Sequence, residues 1–547
     1  MVQELLASLA LPFDLSTLLN FTLVDSFTQE LANSSCNNFF ESYSARDGSG
    51  RIRVRREGSP GQRCWDSLPS EWREYFQAIK EHEKRNEVLK ELSKADTSSP
   101  IYQSFPSSLQ SFLSSCRSLS FDRTCSLNPI LSYPPSSSSG TTSRPRQPSP
   151  PPSINPALAH LKGKAKAQHT NALKAGQSPK KHHEVVKFCS LVESMLTEEP
   201  SNYCVDVGSG RAHLSRALAS PPLNLHVLAV DWAPSQKTGA EKLDRIRQRA
   251  ELNPTIGSLT HRVSSLDEPG VKKVLKEWPP VYDEDSSKKR EPPLLVALHA
   301  CGDLTPDSIK AFTDFSSSSS SLDSLSSAPR AVFVGCCYNL QTPSLFPLSQ
   351  FLASILPIAS LPNQNEPISL AHLRLTPQSP PTWHLSQAET KAFESATFKL
   401  AYRSRLEAEL EWNGFGSEIG ARKVGRIPDC RDWNEYRGKA IERMVAREGE
   451  GVKVPLPCPF GEEGEREKEE EDWKEGVWLL RVWWTIRSWL GPPLESLVVL
   501  DRYLLLVEGL YGTEEEDKQE GEGRKVEMVN IFDQATGSLR NIALVVR

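Results

Sequence analysis

Apolar and polar positions along the central part of the chain follow the pattern of strands separated by helices. Four short segments are mostly apolar and each is followed by glycine or polar residues: 203–207, 226–230, 294–298 and 331–334. Near-continuous apolar runs are typical of parallel strands that are covered on both faces. Between the runs, apolar residues recur at the three- or four-residue spacing of a helix face. This alternation predicts right-handed crossovers and a parallel sheet.

Helices and further strands extend this pattern. Ser178 stands at an N-cap position and Pro179 at a first helical position, so a helix is predicted to begin there. The other predicted helices lie at 242–250, 271–278, from Thr305 onward, 391–411 and 431–447. The remaining predicted strands lie at 259–264, 497–508, 526–532 and 541–546.

Composition divides the chain into three predicted regions. Residues 1–95 are predicted to be helical, because Trp65, Leu68, Trp72 and Phe76 lie three or four positions apart. Residues 96–156 are rich in Ser and Pro and are predicted to be a disordered linker. Residues 157–547 are predicted to form one domain. Its low-complexity loop insertions are placed at 283–292, 316–327, 461–472 and 513–525.

Charge and cysteine content limit the class of protein. The net charge of −5 gives no overall basic field, and the 11 cysteines are an odd number at scattered spacing. Such cysteines are typical of reduced thiols, so a cytoplasmic or nuclear protein is predicted. No secretory signal is evident, and the apolar run 497–507 is broken by Asp501 and Arg502 and is too short to span a bilayer. No membrane partner is expected.

The segment 206–210 reads D-V-G-S-G and follows the first apolar run. Gly208 and Gly210 lack a Cβ atom, so the backbone there can turn sharply and approach a ligand closely. Asp231 ends the next run, about 20 residues after the glycines, where an acid commonly binds ribose hydroxyls. The pattern therefore predicts a site for a nucleoside cofactor.

The third glycine of a dinucleotide-binding motif is replaced by His213. A bulky residue at this position opposes the close helix–strand packing of that motif, which argues against a nicotinamide-dependent oxidoreductase. The D-x-G-x-G pattern instead resembles motif I of methyltransferases that use S-adenosylmethionine (SAM). That resemblance places Asp206 near the methionine amino group. It places Gly208, Ser209 and Gly210 along the methionine and ribose, and Asp231 at the ribose.

Polar residues crowd at the ends of the other predicted strands. In a parallel sheet, ligands bind outside the carboxyl ends of the strands. The residues at these ends are Asp267 after the third strand, His299 to Asp303 after the fourth, and Gly335 to Asn339 after the fifth. Asp303, Tyr338 and Asn339 are the predicted catalytic or acceptor-facing residues. Tyr338 would stack on a planar acceptor, and Asn339 or Asp303 would accept a proton.

A zinc site is an alternative for the same strand ends. His299, Cys301, Cys336 and Cys337 offer one imidazole and three thiolates, which suit Zn²⁺. Successive side chains of a strand point to opposite faces, however, which separates Cys336 from Cys337 if the strand continues. No metal is therefore predicted.

Several motifs together resemble the methyltransferase-like 25 family. They are G-Q-S-P-K-K-H-H-E-V at 176–185, V-D-V-G-S-G at 205–210, L-H-A-C-G-D-L at 298–304, G-C-C-Y-N-L at 335–340, V-L-D-R at 499–502 and a tail at 532–544. The resemblance implies a Rossmann-like, seven-stranded SAM-methyltransferase sheet with a helical N-terminal unit. It adds Trp232, Asp267 and His299 to the cofactor-binding residues, and Lys181 and Glu184 near the methionine end. Two of these elements are also similar to a tRNA 2′-O-methyltransferase family, from which Tyr338 and Asn339 depart.

The acceptor is the least defined part of the prediction. Residues 157–188 contain seven lysines against a single Glu, a composition that suits the phosphate backbone of RNA. RNA is therefore the leading acceptor class. Alternatives are a protein or small-molecule methyltransferase, or a non-catalytic SAM-binding scaffold protein. The oligomeric state is not predicted.

Overall fold

The computed structural model describes residues 11–34, 64–134, 171–250, 257–279, 290–317, 325–356, 361, 366–412, 424–425, 427–448, 463–512 and 524–547. The predicted linker at 135–156, the basic residues at 157–170 and most of the predicted loops at 283–292 and 513–525 lie outside these residues. The described residues fall into two compact units. One comprises those within 1–23, 119–377 and 492–547, and the other those within 24–118 and 378–491.

The first unit contains an eight-stranded sheet, and its strands are numbered in chain order. Their bounds are β1 Ser126–Tyr133, β2 Tyr203–Val207, β3 His226–Asp231, β4 Leu259–Val263, β5 Leu294–Cys301, β6 Ala331–Cys336, β7 Val526–Asn530 and β8 Ile542–Val546. Their order across the sheet is β1-β7-β8-β6-β5-β2-β3-β4. The five strands from β6 to β4 are parallel, whereas β8 is antiparallel to both β6 and β7, and β1 is antiparallel to β7. This mostly parallel sheet confirms the predicted Rossmann-like α/β class, with β1 as an unpredicted additional edge strand.

The chain reverses its direction of travel across the sheet between β2 and β5. From β2 it proceeds outward to β3 and β4, and it then returns to place β5 on the other side of β2. Such a reversal is a topological switch point, and in open α/β sheets it opens a crevice at the carboxyl ends of the two strands. The segments that follow β2 and β5 therefore border the expected ligand crevice.

The helices are likewise numbered in chain order. In the sheet-containing unit they are α1 Leu15–Leu19, α7 Pro179–Glu198, α8 His213–Leu218, α9 Pro234–Ala250, α10 Glu268–Glu277, α11 Leu304–Ser317, α12 Gln350–Ile355, α13 Leu370–Leu375 and α17 Gly491–Tyr511. In the helical unit they are α2 Ser26–Asn33, α3 Ser70–Gln77, α4 His82–Lys94, α5 Pro100–Gln103, α6 Ser107–Ser118, α14 Gln387–Trp412, α15 Trp433–Glu448 and α16 Glu463–Ser488. None of these helices is both long and apolar enough to cross a bilayer.

The core of the first unit forms where helices cover the sheet. The buried face of α7 supplies Val185, Phe188 and Val192, which pack in one cluster with strand residues such as Val296 and Val332. The near-continuous apolar sequence of these strands predicts that both faces of the sheet are covered, and the burial of the strand residues agrees with this. This packing fixes the start of α7 at the carboxyl edge of the sheet.

Helix α17 corrects the strand predicted at 497–508. The segment is buried on nearly every side, so its apolar residues carry no amphipathic period that would distinguish a helix from a strand. Two charged residues within it are also buried and are paired with each other, Asp501 and Arg502. Asp501 additionally accepts hydrogen bonds from the backbone N–H groups of Leu348 and Ser349, at 2.9 and 3.0 Å from Oδ1.

The predicted domain boundaries also require correction. Residues 96–134, predicted as part of the linker, form α5, α6 and the sheet strand β1. Residues 463–472, predicted as an exposed loop, belong to α16. The segment 378–491 is predicted to belong to the same domain as the sheet, but its described residues form a compact unit with those of 24–118. Composition misled the prediction in the serine-rich segment, because α6 buries Leu109, Phe112, Leu113 and Cys116 at helical spacing.

Candidate active site

The glycine turn after β2 is hydrogen-bonded to the neighbouring strand β3. The backbone N–H groups of Gly208 and Ser209 both donate to the carbonyl oxygen of Val230, at 3.0 Å. Gly208 and Gly210 have φ values of +71° and +53°, a region that L side chains rarely adopt. A Cβ atom added at Gly210 would meet no other atom within 4 Å, so the turn leaves open space there. The turn is thus held rigidly while its outer side can receive a ligand.

Asp231 lies beside this turn at the end of β3 and is largely buried. Its Oδ2 atom accepts a hydrogen bond from the Gly210 N–H at 2.9 Å, and its Oδ1 atom accepts one from the Ala233 N–H, also at 2.9 Å. A carboxylate oxygen can accept more than one hydrogen bond, so each oxygen keeps capacity for a hydroxyl donor. The geometry suits the predicted contact with ribose and also makes Asp231 a brace for the turn.

Asp206 lies inside β2, and its side chain is 2% exposed. Its Oδ2 atom accepts a hydrogen bond from the Ser215 hydroxyl at 2.5 Å. Burial raises the pKa of Asp206 to about 6, although the Ser215 hydrogen bond and the charge of Lys181 oppose this shift. None of the described cationic side chains hydrogen-bonds to the Asp206 carboxylate. A cationic ligand group placed near it would therefore stabilise the charged carboxylate.

The other two strand-end residues of the predicted cofactor set differ in character. Trp232 is 71% exposed at the end of β3, which leaves its ring free to cover a planar ligand. Asp267 is an exposed N-cap of α10, where it accepts hydrogen bonds from the Ser265 hydroxyl and the Gly270 N–H at 2.7 and 3.0 Å. These two bonds lower the pKa of Asp267. Asp267 therefore has a local capping role that the sequence-based prediction did not include.

His213 occupies the position of the third glycine in a dinucleotide-binding motif. Its Nδ1 atom lies 2.8 Å from an amino group of the Arg216 guanidinium, which donates to it. Burial lowers the pKa of His213 to about 4, and the neighbouring positive charge of Arg216 acts in the same direction. A half-buried imidazole and a buried guanidinium occupy the place of the close glycine packing of a pyrophosphate-binding turn.

A partly buried hydrogen-bonded pair joins α7 to the end of β5. Glu184 and His299 are 115 positions apart in sequence, yet Oε2 of Glu184 lies 2.7 Å from Nε2 of His299. The β5–β6 register shifts between Leu298 and Ala300, and His299 has a φ of +64°. Such irregularities redirect a side chain from its normal strand orientation. The sequence placed both residues at the cofactor but did not predict that they pair.

The charge of Lys181 also affects the pKa of Glu184 in the Glu184–His299 pair. Burial raises the pKa of Glu184, but the hydrogen bond and charge of His299, together with Lys181, lower it below its ordinary value overall. Burial lowers the pKa of Lys181, although the charges of Glu184 and Asp206 oppose that shift. Lys181 is therefore close enough to influence both acids.

The three predicted catalytic residues have different environments. Asp303 is already engaged, since Oδ1 accepts from the Thr342 N–H at 2.8 Å and Oδ2 from the Thr342 hydroxyl at 2.6 Å. Tyr338 is 5% exposed, and burial raises the pKa of its hydroxyl. Tyr338 thus lies in an environment that does not favour the predicted stacking on an acceptor. Asn339, next to it in a 3₁₀ helix at Tyr338–Leu340, is exposed.

Three cysteines converge at the ends of β5 and β6. The sulfur atoms of Cys301 and Cys336 are 3.2 Å apart, and those of Cys336 and Cys337 are 3.7 Å apart. Strand β6 ends at Cys336, and Cys337 has a φ of +50°. The side chains of Cys336 and Cys337 are therefore not separated as they would be in a continuing strand, which corrects the sequence-based expectation.

Comparison with known proteins identifies the class to which this site belongs. Residues 180–342 match a protein-family model described as a methyltransferase domain. The matched segment includes β2 to β6, the glycine turn, Asp231 and the Glu184–His299 pair. The sheet-containing unit thus carries a methyltransferase domain. No solved structure matches the chain.

Proposed function

We propose that this chain is a SAM-dependent methyltransferase of the methyltransferase-like 25 type, with RNA as its acceptor. The observation that carries the proposal is the position of the glycine turn and Asp231 at the topological switch point of a methyltransferase domain. Ligands of open α/β sheets bind at this point. The resemblance of the motifs around Lys181, Asp303 and Tyr338 supports the finer family.

The residues at the turn fit this cofactor. The open space outside Gly210 would receive the ligand, and the remaining lone pairs of Asp231 would accept its ribose hydroxyls. The buried Asp206 would gain a positive partner from the methionine ammonium group, and the exposed Trp232 would cover the adenine ring. SAM supplies an activated methyl group when bound. The protein therefore has mainly to align the acceptor and exclude water.

A proton must leave the acceptor if its nucleophile is a hydroxyl or an amine. With Glu184 accepting the Nε2–H of His299, the Nδ1 atom of the imidazole carries the lone pair. His299 is therefore our candidate proton acceptor, and Glu184 is its positioning residue. Asn339 would orient the acceptor from the exposed side, whereas Asp303 holds the loop at Thr342 in place.

Basic residues support RNA as the acceptor class. Lys174 and Lys180 are exposed next to the start of α7, and Arg211 is exposed immediately after the glycine turn. The preceding residues 157–170 hold three further lysines in sequence. Clustered lysines and arginines neutralise backbone phosphates and give binding that weakens with salt. The cluster would guide a phosphate backbone past the crevice.

Calorimetric titration of SAM into the full-length chain tests the cofactor. We expect saturable binding, and we expect Asp231→Ala to weaken it at least about tenfold, because lost hydrogen bonds to a charged group cost about 1.5–3 kcal/mol. Asp96→Ala is a matched control, since Asp96 is an exposed acid in the helical unit. Absence of heat with the wild-type chain, or equal affinity for Asp231→Ala, would contradict the proposal.

Salt-dependent binding of single-stranded RNA tests the acceptor class. The double variant Lys174→Ala/Lys180→Ala should bind more weakly and should lower the slope of log affinity against log salt, by about 0.7 for each lost phosphate contact. Lys84→Ala/Lys90→Ala removes the same charge from exposed positions of α4 and is the control. An unchanged slope in the first variant would argue against RNA and for a protein or small-molecule acceptor.

A further inference from the structure

The cluster formed by Cys301, Cys336 and Cys337 is unused by the methyl-transfer site described above. Their three sulfur atoms all lie within 4.8 Å of one another. We propose that these three residues bind one Zn²⁺ ion as thiolates. The proposal goes beyond methyl transfer and does not depend on SAM binding.

The backbone explains why the three thiols meet. Cys301 and Cys336 are direct partners in the β5–β6 register, so their side chains lie side by side on one face. Cys337 follows the last residue of β6, and its positive φ turns the chain so that its sulfur remains near that of Cys336. Two hydrogen bonds hold this arrangement, from the Gly302 N–H to the Cys336 carbonyl at 3.2 Å and from the Leu340 N–H to the Cys337 carbonyl at 2.8 Å.

The spacing of the sulfurs suits a tetrahedral ion. Zinc–sulfur bonds of about 2.3 Å at tetrahedral angles place the sulfurs of two ligands about 3.8 Å apart. The Cys336–Cys337 separation of 3.7 Å agrees with this value. The Cys301–Cys336 separation of 3.2 Å would have to widen, and Cys301 is exposed and can adjust its side chain. A donor set of thiolates alone favours Zn²⁺ over the oxygen-seeking Mg²⁺ or Ca²⁺.

A disulfide is the main competing use of these thiols. Neighbouring strands are about 4.8 Å apart, which is within the Cα–Cα range that a disulfide spans. A disulfide would join only two of the three sulfurs, however, and would not account for the third beside them. A shared metal ion uses all three, and this is why the geometry favours zinc.

The proposed ion would have one position open to an external ligand. His299 is the nearest histidine in sequence, but it is not among the ligand atoms that lie within 4.8 Å of one another, and its Nε2 atom hydrogen-bonds to Glu184. Exposure of Cys301 lets water reach the fourth position, as in zinc sites with three protein ligands. The charges of Lys181 and Arg540 act on these thiols and would offset the excess negative charge of three thiolates around Zn²⁺.

Metal analysis of the full-length chain tests the proposal. After incubation with Zn²⁺ under reducing conditions and removal of free metal, we expect one zinc per chain. Cys301→Ser and Cys337→Ser should each lose that zinc, whereas Cys125→Ser, which changes an exposed cysteine outside the cluster, should keep it. Thermal unfolding of each variant would identify any that fails to fold.

The absorption spectrum of the wild-type chain with Co²⁺ in place of zinc tests the proposal without any variant. Sulfur-to-cobalt charge-transfer absorption should appear with an intensity that corresponds to three thiolates. A reduced wild-type chain that binds no zinc, retention of zinc by both Cys→Ser variants, or a Cys301–Cys336 disulfide found by mass spectrometry of the unreduced chain would each overturn the proposal. SAM titration of the same samples separates this outcome from that of the proposed function.

Discussion

Two neighbouring parts of the ligand crevice are built in different ways. After the roles proposed above, we call the ends of β2 and β3 the cofactor edge, and the ends of β5 and β6 the acceptor edge. At the cofactor edge, Gly208 and Gly210 carry the positive φ values of the turn, Ala212 follows with a φ of +55°, and Asp231 is bonded to backbone N–H groups close by. At the acceptor edge, positive φ values are also carried by His299 and Cys337, and the side chains there are paired with distant parts of the chain.

This difference indicates where conformational energy is stored. Glycine adopts positive φ without steric cost, whereas another residue in that region costs about 1–2 kcal/mol. Backbone strain of this kind is concentrated at functional sites and persists when the surrounding structure enforces it. At His299 and Cys337, the contacts of the side chain therefore offset the free-energy cost of the positive φ. The cofactor edge carries one such residue, Ala212, at the N-cap of α8.

The largest expected effect on the free energy of unfolding comes from substituting a glycine at the acceptor edge, and a glycine at the cofactor edge gives the comparison. In Gly302→Ala, the new Cβ would lie 2.9 Å from the Leu340 carbonyl oxygen at a φ of +57°. The sum of strain and forced backbone movement should lower the free energy of unfolding by about 2–5 kcal/mol. Gly210→Ala meets open space and should lose only about 1–2 kcal/mol from its φ value. Urea unfolding of both variants measures the change in the free energy of unfolding. Equal decreases in the two variants would refute the difference between the edges.

A somewhat smaller effect is expected for the partly buried pair that supports the acceptor edge. Glu184→Ala removes the partner of His299, and loss of a hydrogen bond to a charged group should cost about 1.5–3 kcal/mol. Glu184→Gln keeps an oxygen that can accept from Nε2–H and should lose less than half as much. Thermal unfolding and methyl-transfer rates of both variants provide the measurement. Similar losses in the two would show that the pair does not orient His299.

The smallest effect concerns the pH dependence of the cofactor edge. The folded-state pKa of Asp206, raised to about 6 by burial, exceeds its unfolded value of 3.8. The unfolded state therefore releases its proton first, so this group's contribution to stability is present below about pH 4 and is lost as the pH rises through about 6. Relative to Asp206→Asn, the wild-type chain should lose on the order of 2 kcal/mol between pH 4 and 7. Parallel stability profiles of the two chains would contradict this.

Local signals in the sequence predicted the secondary structure at the start of α7 and at the end of β2. The start of α7 was predicted from Ser178 and Pro179, and the Ser178 side chain does accept from the Lys181 N–H. The strand and turn at 203–210 likewise depend on residues within a few positions of one another. Such features can be predicted from the sequence because short-range sterics and helix capping determine them.

Features that depend on tertiary packing were not predictable. The apolar run within α17 had no period, because packing on all sides removes the contrast between faces. The burial of Tyr338 and the Glu184–His299 pair arise from contacts between segments that are far apart in sequence. The convergence of the three thiols required knowing that β6 ends at Cys336. The acceptor edge was thus harder to predict because more of it is assembled from distant residues.

The strand order also determines how a newly made chain must fold. Strand β8 lies between β6 and β7, although it is the last strand in sequence and follows β6 by roughly 200 residues, a separation that favours slow folding. Until β8 is synthesised, β6 is an open edge whose backbone groups can pair with another polypeptide. During synthesis the parallel half of the sheet therefore passes through a period in which aggregation competes with completion of the fold.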